Sequence, residues 1–131
     1  MSDAATTVTT PLMLSDYARM APSALKADIA SDFRLEGDPA TLIPEDVLVA
    51  SMTTDGTESS AFHLLRAADG SLLLNHAGHC SCYGYEEQWT PEPTSLAELK
   101  RRVERGYFVT DDAANARIKD FIRALPGYDA A

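Results

Sequence analysis

Apolar residues recur every fourth position at Leu25, Ile29 and Phe33, the period of one helix face. Ser23 stands where a cap is wanted, Lys26, Asp28, Asp32 and Arg34 fall on the wet side, and Gly37, Asp38 and Pro39 end the pattern. Ahead of it, Leu12, Met13, Leu14, Tyr17 and Met20 predict a short apolar-faced helical turn starting near Ser15 and stopped by Pro22. After Pro44 the period shortens. Asp46 to Thr54, Ser59 to Arg66 and Ser71 to Ala77 are rich in β-formers and are separated by the turn dipeptides Asp55-Gly56 and Asp69-Gly70. They predict a meander of three antiparallel strands. A two-residue turn at Asp69-Gly70 sets Leu65 opposite Leu74 and His63 opposite His76, with the two imidazoles side by side on one face.

The last third reads as helical. Ser95 and Glu98 form a capping box, Leu96, Leu99 and Val103 make the inward stripe, and Gly106 supplies a left-handed stop. Tyr107, Phe108 and Val109 read as a short buried crossing segment. Thr110 or Asp111 then caps a last helix with Ala114, Ile118, Phe121, Ile122 and Leu125 inward, ended by Pro126-Gly127. The expected architecture is α+β: a small antiparallel β-meander packed against two to three α-helices, near 24–34, 95–105 and 112–125, all on one side of the sheet. Residues 1–11, small and polar, are expected to form a flexible arm, and residues 12–131 a single domain.

Charge narrows the choice of partners. The 131 residues carry 20 acids and 11 bases, a net charge of -9, which disfavours direct contact with nucleic acid or anionic membrane. Residues 1–40 hold six acids and three bases, residues 41–99 nine and one, and residues 100–131 five and seven. The middle of the chain is thus strongly negative and the end slightly positive. No apolar run has the length of a membrane helix, and the N-terminal residues lack the basic end and apolar stretch of an export signal, so a cytoplasmic protein is expected.

The unusual chemistry lies between the last strand and the Ser95 helix, where both cysteines, two of the three histidines and the only tryptophan fall within residues 76–89. The string Gly78-His79-Cys80-Ser81-Cys82-Tyr83-Gly84, followed by Glu86, Gln88-Trp89, Pro91-Glu92, Thr94 and a helix ending in Arg105-Gly106, resembles an uncharacterised family of small proteins encoded by phages and prophage-bearing bacteria. The resemblance covers roughly residues 60–107. It implies a hairpin before the loop and a helix after it, and carries no biochemistry with it.

Several readings of this loop stand side by side. His79, Cys80, Cys82 and His76, with His63 across the hairpin, have the ligand chemistry that zinc prefers, although one intervening residue between the cysteines is tighter than the usual spacing. Alternatively the cysteines are small buried hydrophobes, and His79 bonds a backbone group while Gly78 and Gly84 allow the bends. A Cys80–Cys82 disulfide is disfavoured by ring strain and a reducing compartment. A nucleophilic cysteine with His79 or His76 as base would also need an orienting group and an oxyanion donor. Tyr83, Tyr85 and Trp89, flanked by Glu86 and Glu87, compose an aromatic and acidic surface suited to a basic protein partner, provided the tyrosine rings point outward. Trp89 can instead plug the core beside the Ser95 helix. Lys100, Arg101, Arg102 and Arg105 read as a solvated face, with Glu98 pairing Arg102.

No phosphate loop, catalytic triad order or basic helix-turn-helix is present, which moves the weight from enzyme to binding protein. The expected function is that of a small acidic protein-binding accessory, without cofactor, monomeric or homodimeric. Its expected partner is a host or phage protein with a basic surface, such as a defence or nucleic-acid-handling protein that it inhibits. The alternative is a zinc-binding domain, structural or hydrolytic, built on the His/Cys loop.

Overall fold

A computed structural model describes residues 11–44, 46–55, 58–79, 85 and 87–131, without the side chains of Asp55 and His79. It is an α+β fold around one five-stranded mixed sheet. The strands are β1 (Leu12–Ser15), β2 (Asp46–Asp55), β3 (Glu58–Arg66), β4 (Leu72–His79) and β5 (Glu92–Thr94), and they lie in the sheet in chain order. β1 runs parallel to β2, and the other neighbours are antiparallel. A parallel pair needs a crossover. It is made by α1 (Leu25–Asp32) and α2 (Pro39–Leu42), while α3 (Leu96–Arg105) and α4 (Asp112–Arg123) follow the sheet.

The helices lie on both faces of the sheet, which corrects the expectation that one side carries them all. Leu48, Val49, Phe62 and Leu64 pack with Leu99, Val103, Ile118 and Ile122 of α3 and α4. Val47, Ala50, Met52, Ala61 and Leu65 pack with Leu25, Ile29 and Phe33 of the α1 layer. Alternation along β2 serves both faces, and a β-bulge between Val47 and Val49 shifts its phase. The bulge inserts Leu48 so that two consecutive residues, Leu48 and Val49, turn toward α3 and α4.

Local signals explain most of the elements. Leu25, Ile29 and Phe33 are buried as their spacing requires. α1 ends in a Schellman turn, in which the amide of Leu35 donates to the Ala30 carbonyl at 2.9 Å and that of Arg34 to Ser31 at 3.2 Å, with Arg34 at φ 55° in the glycine position. The Ser23 cap is not used: α1 follows a 3-10 turn, Pro22–Ala24, and its N-cap is Ala24. Asp38 caps α2 by accepting from the Ala40 amide at 3.0 Å. Ser95 accepts from the Glu98 amide at 3.1 Å, and Asp111 from that of Ala114 at 2.9 Å, so both C-terminal helices start where the sequence places them.

Other boundaries differ. Leu12–Leu14 form strand, not helix, because pairing with β2 puts Leu14 into the α3–α4 core. The β3–β4 hairpin is one residue out of the expected register: His63 pairs with Asn75, and His76 with Phe62. The connection is longer than two residues, closed by the Ala67 amide donating to Ser71 and the Gly70 amide to Ala67. Gly106 is extended rather than left-handed (φ -141°), and Gly127 is the left-handed residue (φ 85°). Gly56 of the expected first turn lies outside the described residues, as do residues 1–10 of the expected arm. Tyr107 is 60% exposed, so of the expected crossing segment only Phe108 is buried.

Candidate functional site

The α1 face of the sheet carries a polar group sealed from solvent. His63, on β3, is 0% exposed and shares a 3.0 Å hydrogen bond between its Nε2 and the hydroxyl of Tyr17, itself 1% exposed. Phe33, Trp89 and Tyr17 meet the imidazole edge-on at centroid distances of 5.6, 5.2 and 5.8 Å. Burial, then the charge of His76, pushes the His63 pKa down to about 3, so the ring is neutral at physiological pH. Its Nδ1 and the Nδ2 of its cross-strand neighbour Asn75 have no hydrogen-bond partner among the described residues.

Tyr85 and Trp89 pack on this face. The Tyr85 hydroxyl hydrogen-bonds the Ser59 hydroxyl, and its ring stacks on Phe33 at 4.9 Å. The Gly78 amide donates to Gln88 Oε1 at 2.8 Å, and the Thr90 amide to Asn75 Oδ1 at 2.8 Å. The expectation that Tyr85 points outward is therefore corrected: the ring is 4% exposed, because its apolar body joins the α1 core while its hydroxyl finds Ser59. Trp89 is partly buried against Phe33 and His63, on the sheet face opposite α3 and not beside it. Glu87 is exposed, with φ 64°. Tyr83 and Glu86 lie outside the described residues.

Of the five residues read as a zinc set, His63 and His76 have described side chains, and these two do not come together. His63 and His76 lie on opposite faces of the sheet, since the register places them one residue apart and side chains alternate. His76 is exposed on the α3 side and rests on Phe62 at 5.0 Å. Cys80, Cys82 and the side chain of His79 lie outside the described residues, and among those described no three His, Cys, Asp or Glu side chains are grouped to hold a metal ion. Glu98 pairs with Arg101 at 2.5 Å, not with Arg102. Arg102 turns instead to His76, to the Tyr107 carbonyl and to the Phe108 ring.

A group of carboxylates surrounds the Tyr17 corner. Asp16, Asp28 and Asp32 all act on Tyr17, whose pKa burial and these charges raise. Asp32 is pushed up to about 6 by burial, by the charge and hydrogen bond of Asp28, and by Asp16. Thr54 donates to Asp16 at 2.6 Å, but among the described residues no ion pair neutralises any of the three. Helical spacing alone puts Asp28 and Asp32 on the wet side of α1. Their i to i+4 spacing, which sets like charges one helical turn apart, is the signal that marks them. Asp16 had no such signal, because its proximity depends on the strand pairing of β1.

No family model, curated protein or solved structure matches the chain.

Proposed function

We propose that this chain is a protein-binding module that takes a basic partner on its α1 side. The observation that carries the reading is the crowding of Asp16, Asp28 and Asp32, where burial, then the charge and hydrogen bond of Asp28 and the charge of Asp16, hold Asp32 at about 6 without a counterion among the described residues. Charge held at such a cost is relieved when a partner brings lysine or arginine to it. The surrounding field agrees: residues 11–44 hold five acids (Asp16, Asp28, Asp32, Glu36, Asp38) and three bases (Arg19, Lys26, Arg34), whereas residues 96–131 hold six and seven. The sheet separates these segments, so a partner meets a negative face and a nearly balanced one. The resemblance of residues 60–107 to phage-encoded proteins makes a nucleic-acid-handling host protein, basic by necessity, the class to test first.

The test compares immobilised wild type with two triple variants of equal charge change, Asp16→Asn/Asp28→Asn/Asp32→Asn and Glu104→Gln/Asp112→Asn/Asp120→Asn, in capture from host lysate at low and moderate salt. Loss of one defined partner with the first triple alone is expected, as is weaker capture below about pH 6, where Asp32 takes up a proton. Equal loss with both triples, or capture of nothing above background, overturns the reading.

A further inference from the structure

On the other face of the sheet, β4, β5 and α3 enclose a groove of about 400 Å³, within the range that small ligands occupy. We infer that this groove binds a small zwitterion, with its carboxylate on Arg102 and its ammonium on Glu92. The inference is independent of the acidic α1 side.

Arg102 is set up for such a ligand. Its Nη2 donates to the Tyr107 carbonyl at 2.8 Å, its Nη1 meets His76 Nε2 at 3.3 Å, and its guanidinium lies 4.6 Å from the centre of the Phe108 ring. Each of these partners is neutral or π-bearing. Among the described residues no carboxylate is paired with Arg102, and Glu98, one turn earlier, is engaged by Arg101. A guanidinium carries five N–H donors in a fixed fork, so two fixed bonds leave donors for an oxyanion, held in place with little ordering left to do.

His76 adds to this end of the groove. Arginine only donates, so Nε2 of His76 must accept, and the proton of the neutral ring sits on Nδ1 as a further donor. The opposite wall supplies the complementary charge. Glu92 on β5 is the register partner of Leu74, is exposed, and acts on His76 through its charge. Thr90, Thr94 and the apolar side chain of Leu74 also line the groove, as does Glu98, whose charge Arg101 takes up. A cation alone would be repelled by Arg102, and a dianion such as phosphate by Glu92. A molecule with one charge of each sign and a small apolar body satisfies both walls, as a free α-amino acid does.

The experiment is a heteronuclear NMR titration of the full chain with leucine, acetate, methylammonium and inorganic phosphate. Leucine is expected to shift His76, Thr94 and Arg102 resonances saturably, with a Kd about tenfold below those of acetate and methylammonium. Glu92→Gln is expected to raise the leucine Kd about fivefold while acetate binds no more weakly than to wild type, and Arg102→Gln to remove both. Should Arg102→Gln lose its packing on Phe108 and unfold, Glu92→Gln at its exposed site decides alone. Leucine no tighter than acetate, phosphate tightest of the four, or an unchanged leucine Kd in Glu92→Gln each overturns the inference.

Discussion

Tyr17 and His63 share one hydrogen bond at a place where both are sealed from solvent. Removing the hydroxyl by Tyr17→Phe leaves a second imidazole nitrogen without a partner beside the already unpartnered Nδ1. That change costs about 1–3 kcal/mol. Replacing both groups, Tyr17→Phe with His63→Leu, removes the desolvated polar atoms together, so urea unfolding is expected to show the double variant no less stable than Tyr17→Phe alone; losses that add would contradict this. At the same scale, the histidine was visible in the sequence but its role was not. A one-residue shift of the hairpin register, set by the connection at Ala67–Ser71, decides whether it meets His76 or lies on the far side of the sheet. Composition cannot reveal that shift.

At the level of elements, caps were legible because they are local: Ser95 and Asp111 each satisfy an amide three residues on. Ser95→Ala is expected to lower stability by about 1 kcal/mol in thermal or urea unfolding. Stops were less legible, because glycine ends a helix in more than one geometry. Gly106 is extended, and a Cβ there would meet the Arg102 carbonyl at an ordinary 3.6 Å, so Gly106→Ala is expected to stay within about 0.5 kcal/mol of wild type. Gly127, at φ 85°, is expected to lose about 1 kcal/mol on the same change. Equal effects at the two glycines would contradict the assignment. β5 escaped the sequence reading because Glu92-Pro93-Thr94 has no strand pattern of its own and pairs only through β4. The layering has a signature in the sequence: VLVA in β2, AFHLL in β3 and LLL in β4 are continuous rather than alternating runs, as expected of strands covered on both faces.

Over the whole molecule, two groups on the α1 side oppose each other in acid. The unfolded chain protonates His63 near its ordinary 6.5, whereas the folded chain holds it neutral to about 3. In that window the unfolded state binds more protons, and stability falls as pH is lowered. Asp32 has the reverse sign: its folded pKa of about 6 lies above the unfolded 3.8, so its contribution is present in acid and lost as pH rises through 6. Asp32 is partly open to solvent, which screens its share; it therefore offsets only part of the His63 slope of about 1.4 kcal/mol per pH unit. Urea unfolding of Asp32→Asn between pH 4 and 6 is expected to show a steeper rise of stability with pH than wild type. The same variant should be more stable than wild type at pH 7 by under about 1 kcal/mol, and parallel profiles would refute the assignment.

The parallel pairing of β1 also sets an order of events in folding. The β2–β3–β4 meander closes through short connections, whereas β1 reaches β2 only after the whole α1–α2 crossover has been laid down, and the loop-closure entropy of that long connection must be met first. β1 and the α1 layer are thus expected to dock last and detach first. Native-state hydrogen exchange should show it, with amides of Leu25–Asp32 exchanging through a smaller opening than those of β3.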